Sequence, residues 1–306
     1  MRAVVLEQTG GPEALVVRDV PEPVPRPGEA LVEVRACGVN FADVLIRRGS
    51  YPQTPELPTV LGSEVAGELD GGRVLGLVLG GGGGYAERAA VERRWLFPLP
   101  SGASYAEGGA FLVAFLTAWI PLTQIARVSE GTRVLVTAAA GAVGTAALQV
   151  VRTLGGVSVA AAGSSAKLAL PRSLGAEEAV TYDGLAELEQ VDVVVDLVGG
   201  GVLVGCLSLL KPLGTAIAVG SAGGPWPDVS LTWLVGRNIG IHGFYLGRLA
   251  AREPERVRRA ADDLLGLWER GAIHPVVGAE LPLEHAPEAH RLLEERRSTG
   301  KVVLVP

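Results

Sequence analysis

The small residues at positions 138 to 144, Ala-Ala-Ala-Gly-Ala-Val-Gly, carry the clearest chemical signal in this chain. A β-branched apolar run at 133–138 leads into them, and an alanine-rich helical pattern at 142–154 follows. In a dinucleotide-binding turn, three small residues permit a tight turn, close approach of the backbone to a diphosphate and close packing of the helix on the strand. Here Ala139, Gly141 and Gly144 hold those three positions.

The pattern predicts a dinucleotide whose diphosphate lies at the start of the helix. Backbone N–H groups point outward there, and the helix dipole favours negative charge. The predicted contacts are Ala140, Gly141, Ala142, Val143 and Gly144. The alternative is an apolar strand, turn and helix whose small residues serve packing alone.

The residues after the next apolar run indicate which dinucleotide this is. An NAD site usually has Asp or Glu about 20 residues after the turn, bonded to the ribose 2′-hydroxyl. Residues 159–166 contain no acid, and Gly163, Ser164 and Lys167 suit a 2′-phosphate instead. We therefore expect NADPH, although Lys167 could be a solvated charge at a helix start. Tyr182 could lie along the adenosine or be an edge aromatic.

Alternating apolar runs and helical patterns predict a doubly wound parallel sheet that positions these residues. The runs are 157–162, 178–182, 191–198, 215–220 and 239–244, with helical patterns that include 166–174 and 201–210. Ligands of such sheets bind outside the carboxyl ends of the strands. Further candidate cofactor contacts there are Leu197, Val198, Gly220, Ser221, Phe244 and Tyr245.

Length and composition restrict the class of protein. The chain has 306 residues, 48% hydrophobic and 20% charged, with a net charge of −6. These values predict a soluble two-domain protein and argue against nucleic-acid or membrane partners. The nearly uncharged stretch 134–151 fits a strand plus helix better than a membrane span. Two cysteines and no signal-peptide pattern at the N-terminus lead us to expect a cytoplasmic protein.

Residues 1–112 have short strand patterns, Pro/Gly turns and little helix, which predicts a small β-barrel-like domain. Strand candidates are 3–6, 30–36, 64–70 and 86–91. Several motifs follow one another along the chain: Gly38-Val-Asn-Phe-Ala-Asp43, Arg47-Arg-Gly-Ser-Tyr-Pro52, Leu57-Pro-Thr-Val-Leu-Gly-Ser-Glu-Val-Ala-Gly67, Gly84-Tyr-Ala-Glu87, Phe115-Leu-Thr-Ala-Trp119, Leu174-Gly-Ala176 and Thr299-Gly-Lys-Val-Val303. In this order they resemble the zinc-free quinone oxidoreductase (ζ-crystallin-like) branch of the medium-chain dehydrogenase/reductase superfamily.

The resemblance implies a GroES-like β-rich catalytic domain, residues 1–112 plus 246–306, with a Rossmann domain, residues 113–245, inserted in it. The amphipathic pattern at 249–270 and a last strand at 301–305 would then belong to the catalytic domain. The family is often dimeric through pairing of edge strands. We therefore expect a homodimer, with the run 239–244 at the edge of the sheet.

Many relatives in the superfamily hold catalytic zinc, which needs three protein ligands. The resemblance places a Cys ligand within 37–43 and a His at the second position of Gly62-Ser63-Glu64. This chain has Asn40 in the first region and Ser63 in the second, with Cys37 offset. All four histidines lie in the last quarter of the chain. We expect no metal.

Without zinc, the protein must orient an electron acceptor by hydrogen bonds. The catalytic candidates are Asn40 and Tyr51, on loops that the family places at the cleft between domains. Asn40 could instead bond a cofactor ribose or cap a turn, and Tyr51 could serve loop packing. The resemblance implies that Thr117 bonds the nicotinamide amide, unless it is simply a helix-interior threonine. Phe244 and Tyr245 could wall the nicotinamide.

Three functions remain open from the sequence. The first is NADPH-dependent reduction of quinones. The second is NADPH-dependent reduction of the C=C bond of enones or enoyl thioesters, which uses the same hydride geometry. The third, from another class, is a non-catalytic NADPH-binding or RNA-binding protein. The glycine run 80–84 could be an active-site lid or a plain hairpin connection.

Overall fold

The computed structural model describes residues 1–80 and 83–306. The chain divides into two compact units, Met1–Val113 with His274–Pro306, and Ala114–Ile273. The described strands are β1 (Arg2–Leu6), β2 (Leu15–Asp19), β3 (Glu29–Val39), β4 (Thr59–Val60), β5 (Glu64–Leu69), β6 (Gly72–Leu77), β7 (Arg88–Glu92), β8 (Leu96–Pro98), β9 (Arg133–Val136), β10 (Val157–Ala162), β11 (Glu178–Thr181), β12 (Val191–Asp196), β13 (Leu210–Ala218), β14 (Gly240–Gly243), β15 (Val277–Pro282) and β16 (Lys301–Val305).

The described helices are α1 (Phe41–Arg47), α2 (Tyr105–Gly109), α3 (Leu112–Ile120), α4 (Ala142–Thr153), α5 (Ala169–Ser173), α6 (Gly200–Ser208), α7 (Leu231–Arg237), α8 (Leu246–Arg252), α9 (Pro254–Glu269) and α10 (Ala286–Glu294). Within the described residues, none of these helices combines the length and apolar character needed to cross a bilayer.

The second unit is built on a parallel sheet with strand order β11-β10-β9-β12-β13-β14. This is the doubly wound strand order, in which strands are added to one side of the first strand and then to its other side; the switch lies between β9 and β12. Val134, Leu135 and Val136 in β9 are fully buried, because helices cover both faces of such a sheet. The predicted Rossmann fold is confirmed, and β14 lies at the sheet edge as expected.

The first unit is β-rich, as predicted. Its long strand β3 pairs with β5, β7 and β16. The sheet has the order β15-β16-β3-β5-β6-β8, and a smaller sheet has the order β2-β1-β4. Val303 of β16 faces Gly38 of β3 in register, so the last strand does return to the N-terminal part of the chain.

The C-terminal boundary differs from the predicted position near 246. Helices α8 and α9 belong to the second unit, which ends at Ile273. Two contacts bind this region to its unit: Arg256 donates to Gln124 at 3.0 Å, and Arg152 donates to the carbonyl of Ala272 at 3.4 Å. The pattern at 249–270 also forms two helices, because Pro254 disfavours helical geometry at the residue before it.

A hydrogen-bonded network of buried polar side chains links α1 to α10 in the first unit. Arg47 is fully buried, forms an ion pair with Glu294 and donates from Nε to Nδ1 of His290 at 3.3 Å. Since arginine only donates, Nδ1 accepts, and the network places the histidine proton on Nε2. Nε2 lies 3.2 Å from the Tyr85 hydroxyl, which donates to Oδ2 of Asp43 at 3.0 Å.

Within this network, burial shifts the pKa values of His290 and Asp43 in opposite directions. Burial, with a smaller contribution from the Arg47 charge, lowers the pKa of His290 to about 3. Burial raises the pKa of Asp43 to about 6, although hydrogen bonds from the Asn40 backbone and Tyr85 oppose that rise. Both shifts favour the neutral form in the folded protein.

These shifts predict a pH dependence of stability. His290 binds a proton more weakly when folded, so its contribution is lost as pH falls from about 6.5 toward 3. Asp43 binds a proton more tightly when folded, so it offsets part of that loss below about pH 6. Glutamine can accept from Arg47 and donate to Tyr85, so His290→Gln keeps the bonds and removes the titration. We expect His290→Gln to lose roughly 2–3 kcal/mol less than the wild type between pH 7 and pH 4.

The measurement is urea unfolding at pH 7, 5.5 and 4. His285 is exposed and lies at the start of the same helix, so His285→Gln is the matched control and should follow the wild type. Parallel stability curves for His290→Gln and the wild type would contradict the assignment.

Candidate functional site

The predicted dinucleotide turn lies between the end of β9 and the start of α4, at the carboxyl edge of the parallel sheet. The N–H of Gly141 donates to the carbonyl of Ala138 at 2.9 Å, which closes the turn. Ala138 has a φ of 45°, in the left-handed region where non-glycine residues are uncommon. Its N–H donates to the Tyr182 hydroxyl at 3.2 Å, so Tyr182 helps to hold this strained residue.

Gly144 is required by the packing of α4 on this turn. A Cβ at Gly144 would lie 2.4 Å from the carbonyl oxygen of Ala138 and 2.6 Å from the Cα of Ala139. Gly141 has an ordinary φ of −83° and precedes the first helical residue. The first N–H groups of a helix have no partner within it, and here they belong to Ala142, Val143 and Gly144. The turn therefore presents donors and the positive end of a helix dipole at the sheet edge.

The other cofactor candidates of the second unit follow the carboxyl ends of neighbouring strands. Gly163 and Ser164 come after β10, with Lys167 one turn later; Tyr182 follows β11; Leu197 and Val198 follow β12; Gly220 and Ser221 follow β13; Phe244 and Tyr245 follow β14. Parallel strands place all of these segments along one edge of the sheet. Thr117 lies inside α3 and is buried.

Two contacts show that segments from different strands meet at this edge. A Cβ at Gly163 would lie 3.7 Å from the Tyr182 ring, and a Cβ at Gly220 would lie 3.0 Å from the carbonyl oxygen of Leu197. Gly163 and Ser164 are exposed, and Lys167 is half-buried. The phosphate-suited residues are thus accessible to a ligand.

Thr137, which follows β9, and Asp196, the last residue of β12, are fully buried polar residues that were not among the predicted site residues. Thr137 Oγ1 donates to the Asp196 carboxylate at 2.9 Å. Burial raises the pKa of Asp196, and the hydrogen bonds from the Gly199 and Val198 backbones and from Thr137 oppose that rise. The sequence does contain a signal for Asp196: it is an acidic residue at the end of an otherwise apolar run, Val193-Val-Val-Asp196, where a buried strand is expected.

In the first unit, Asn40 joins a buried ion pair. Lys301, 1% exposed, pairs with Glu64, 0% exposed, and Glu64 also accepts from the N–H of Val113 at 2.9 Å. The Asn40 Oδ1 accepts from the Lys301 ammonium at 2.6 Å, and Nδ2 donates to Glu64 at 3.2 Å. The ammonium and the carboxylate therefore fix the orientation of the amide.

The backbone of Asn40 also takes part in capping helix α1. Asn40 precedes α1, and its N–H donates to Oδ2 of Asp43 at 2.8 Å. Tyr51 is half-buried on the loop that follows α1, and its carbonyl accepts from Thr54 at 3.0 Å. Of the glycine run proposed as a lid, Gly81 and Gly82 lie outside the described residues.

The side chains in the positions of the superfamily's zinc ligands do not suit zinc. The Lys301 ammonium already neutralises Glu64, and Ser63 and Asn40 are not among the usual ligands. Burial raises the pKa of the Cys37 thiol well above its ordinary value, which disfavours the thiolate that zinc requires. Residues 1–80 and 83–306 contain no group of three His, Cys, Asp or Glu side chains arranged to hold a metal ion.

The close packing at Gly144 gives a testable prediction. Gly144→Ala should force the turn and α4 apart and destabilise the protein by about 1–3 kcal/mol, as overpacking typically does. The control is Gly201→Ala, another helical glycine, where a Cβ would meet nothing within 4 Å. That control should be neutral or stabilising by about 0.5–1 kcal/mol. Urea unfolding compares the two, and equal stabilities would refute the packing role.

Comparisons with known proteins agree with this arrangement. Residues 26–101 match the alcohol dehydrogenase GroES-like domain family, and residues 174–304 match a zinc-binding dehydrogenase family. The quinone oxidoreductase of Pseudomonas aeruginosa is 34% identical over 317 residues, covering 97% of each protein. The synaptic vesicle membrane protein VAT-1 homolog of Rattus norvegicus is 34% identical over 343 residues, covering all of this chain and 84% of that protein.

A solved structure of similar fold is the quinone oxidoreductase of Thermus thermophilus, also determined in complex with NADPH. It is 42% identical, with a TM-score of 0.91 over 100% of both chains. The family resemblance predicted from the ordered motifs is confirmed. This chain belongs to the quinone oxidoreductase branch of the medium-chain dehydrogenase/reductase superfamily, a superfamily of oxidoreductases.

Proposed function

We propose that this protein is an NADPH-dependent oxidoreductase that reduces quinones without zinc. The observation that carries the proposal is the small-residue turn after β9, at the point where the strand order of the doubly wound parallel sheet switches sides. Dinucleotides bind at this point in such sheets. Relatives named as quinone oxidoreductases, one of them solved with NADPH, support it.

The second unit supplies the residues that would hold the cofactor. The diphosphate would accept from the N–H groups of Ala142, Val143 and Gly144 at the start of α4. The 2′-phosphate would meet Ser164 and Lys167, where no carboxylate in 159–166 would repel it. The remaining candidates, along the strand ends, would enclose the ribose and nicotinamide: Leu197, Val198, Gly220, Ser221, Phe244 and Tyr245.

NADPH, when bound, would supply a hydride; a quinone that accepted it together with one proton from solvent would become a hydroquinone and leave NADP⁺. The protein then needs only to orient the quinone and to donate hydrogen bonds to its oxygens. Asn40 and Tyr51 are our candidates for those donors. Asn40 Nδ2 already donates to Glu64 at 3.2 Å and to the Gly38 carbonyl at 3.4 Å, so it would have to give up one of these bonds to donate to a quinone.

Zinc has no part in this proposal, because Lys301 already supplies the positive charge beside Glu64 and Asn40. A second cation there would face repulsion from the ammonium. Activity should therefore survive dialysis against a chelator, and elemental analysis should find no stoichiometric zinc.

The test is NADPH oxidation with 1,2-naphthoquinone, 9,10-phenanthrenequinone and trans-2-enones, followed by absorbance. We expect turnover with the quinones. Turnover with enones alone would instead identify a C=C reductase. Tight NADPH binding without turnover on any acceptor would indicate a non-catalytic binding protein.

The choice between NADPH and NADH should depend on Lys167. Removing its charge should raise KM for NADPH about tenfold and leave KM for NADH unchanged, because only NADPH has the 2′-phosphate. Lys211→Ala is the lysine control, since Lys211 pairs with Asp192 at 2.9 Å in the same unit. A Lys167→Ala enzyme with unaltered preference would refute the assignment.

We also propose a homodimer formed through the edge strand β14. Apolar side chains on the preceding helix α7 are exposed, Leu231 to 77% and Val235 to 75%. An unpaired edge beside exposed apolar residues is a surface on which a second copy of this chain can pack.

Sedimentation should give twice the 31.6 kDa chain mass. Leu231→Arg/Val235→Arg should give monomers, whereas Val24→Arg, at an exposed valine of the first unit, should not. A monomeric wild type would overturn the proposal.

A further inference from the structure

We infer that Thr137 and Asp196 are positioning residues for the dinucleotide, joined in a buried strut that ties the cofactor turn after β9 to the loop after β12. The inference rests on the proposed NADPH binding. It concerns two side chains that lie beneath the predicted binding residues and take no part in the proposed chemistry.

The strut connects β9 and β12, the two strands between which the strand order switches from one side of the sheet to the other. Strands β9 and β12 are parallel neighbours, with Val136 opposite Val195. One residue further, the Thr137 N–H donates to the Val195 carbonyl at 3.0 Å, and Thr137 Oγ1 donates to Asp196 at 2.9 Å. Thr137 Oγ1 in turn accepts from the N–H of Leu197 at 2.9 Å. The hydroxyl is thus bonded on both sides, and its position is fixed.

Asp196 extends this bonding into the loop after β12. Its carboxylate accepts from the N–H of Gly199 at 2.8 Å and from the N–H of Val198 at 3.3 Å. Gly199 has a φ of 70°, which favours glycine, and the loop needs this backbone shape to enter α6. The carbonyl of Val198 then accepts from the N–H of Gly223 at 2.7 Å. One carboxylate therefore orders the segments after β12 and β13 together.

Stability alone does not account for a carboxylate at this place. The strands on either side of the β9–β12 pair end in apolar residues, Ala162 in β10 and Ala218 in β13. The side-chain hydroxyl and backbone N–H groups that donate to the Asp196 carboxylate carry no charge. Burying a carboxylate without a cation costs free energy that an apolar residue would not. The carboxylate can accept hydrogen bonds at the same time from the Thr137 side chain after β9 and from two backbone N–H groups after β12.

The expected consequence is preorganisation. A binding edge held in its bound shape loses less conformational freedom when the ligand arrives. Without the strut, the turn from Ala138 and the loop at Leu197 and Val198 would move independently, and the cofactor would have to order both. The effect should fall on NADPH affinity and leave KM for the quinone nearly unchanged.

The experiment compares Thr137→Val, Thr137→Ser and Asp196→Asn with the wild type. Valine keeps the shape of threonine and removes the hydroxyl, whereas serine keeps the hydroxyl. Thr153→Val is the matched control, because Thr153 lies at the far end of α4 and its hydroxyl donates within its own helix, to the Gln149 carbonyl at 2.9 Å. The readouts are NADPH affinity by fluorescence titration well below the melting temperature and hydrogen exchange of the cofactor-free protein.

We expect NADPH to bind at least tenfold more weakly to Thr137→Val and to Asp196→Asn. Thr137→Ser and Thr153→Val should stay within twofold of the wild type. Amide exchange should rise together at residues 138–142 and 197–199 in Thr137→Val. Should Asp196→Asn fail to fold, Thr137→Val and its serine rescue decide the matter.

A folded Thr137→Val that binds NADPH as tightly as the wild type would overturn the inference, even if its melting temperature falls. A wild type that binds NADPH without reducing quinones would overturn only the proposed reaction and leave the strut supported by the affinity series. A wild type that does not bind NADPH would overturn both.

Discussion

The distance between helix α4 and the end of strand β9 is the constraint on which the cofactor edge depends. Gly144 has no Cβ, so the helix can start directly against the carbonyl of Ala138. Ala138 itself has a left-handed backbone, and its N–H donates to the hydroxyl of Tyr182, which follows β11, two strands away from β9 in the sheet. The close approach of α4 also sets where its first N–H groups point, and hence where an anion would bind.

The two compact units use buried polar groups for different purposes. In the first unit, Lys301, Glu64 and Asn40 form a charged cluster, and losing one partner would leave an uncompensated charge in the core. In the second unit, the carboxylate of Asp196 accepts hydrogen bonds from neutral donors, the Thr137 hydroxyl and two backbone N–H groups. The first arrangement holds an amide and a cation near the positions where the family resemblance would place zinc ligands. The second orders backbone beneath the predicted cofactor residues.

Sequence reasoning succeeded where the local pattern and the tertiary environment agree. The parallel strands were recognisable because strands buried on both faces consist of continuous apolar residues. Strands β2, β4, β6, β8 and β15 were missed, because each is short or only partly buried and its apolar stretch is no longer than about four residues. The helical pattern at 249–270 was recognised and assigned to the first unit, whereas in the structure these residues belong to the second unit. Amphipathicity indicates that a helix packs on something and does not indicate on what.

The sequence by itself determined the parallel α/β unit, the position of the dinucleotide turn and the family, since these follow from local periodicity and from ordered motifs. Only the tertiary structure brought Lys301 to Glu64 and Asn40, and Thr137 to Asp196. Lys301 and Glu64 are separated by 237 positions in the chain, and Thr137 and Asp196 by 59. Their burial, and the shifted pKa values of Asp43 and His290, arise from which strands and helices become neighbours. No local pattern of residues encodes these pKa shifts, because the desolvation of a titratable side chain depends on all the atoms packed around it and not on its neighbours in sequence.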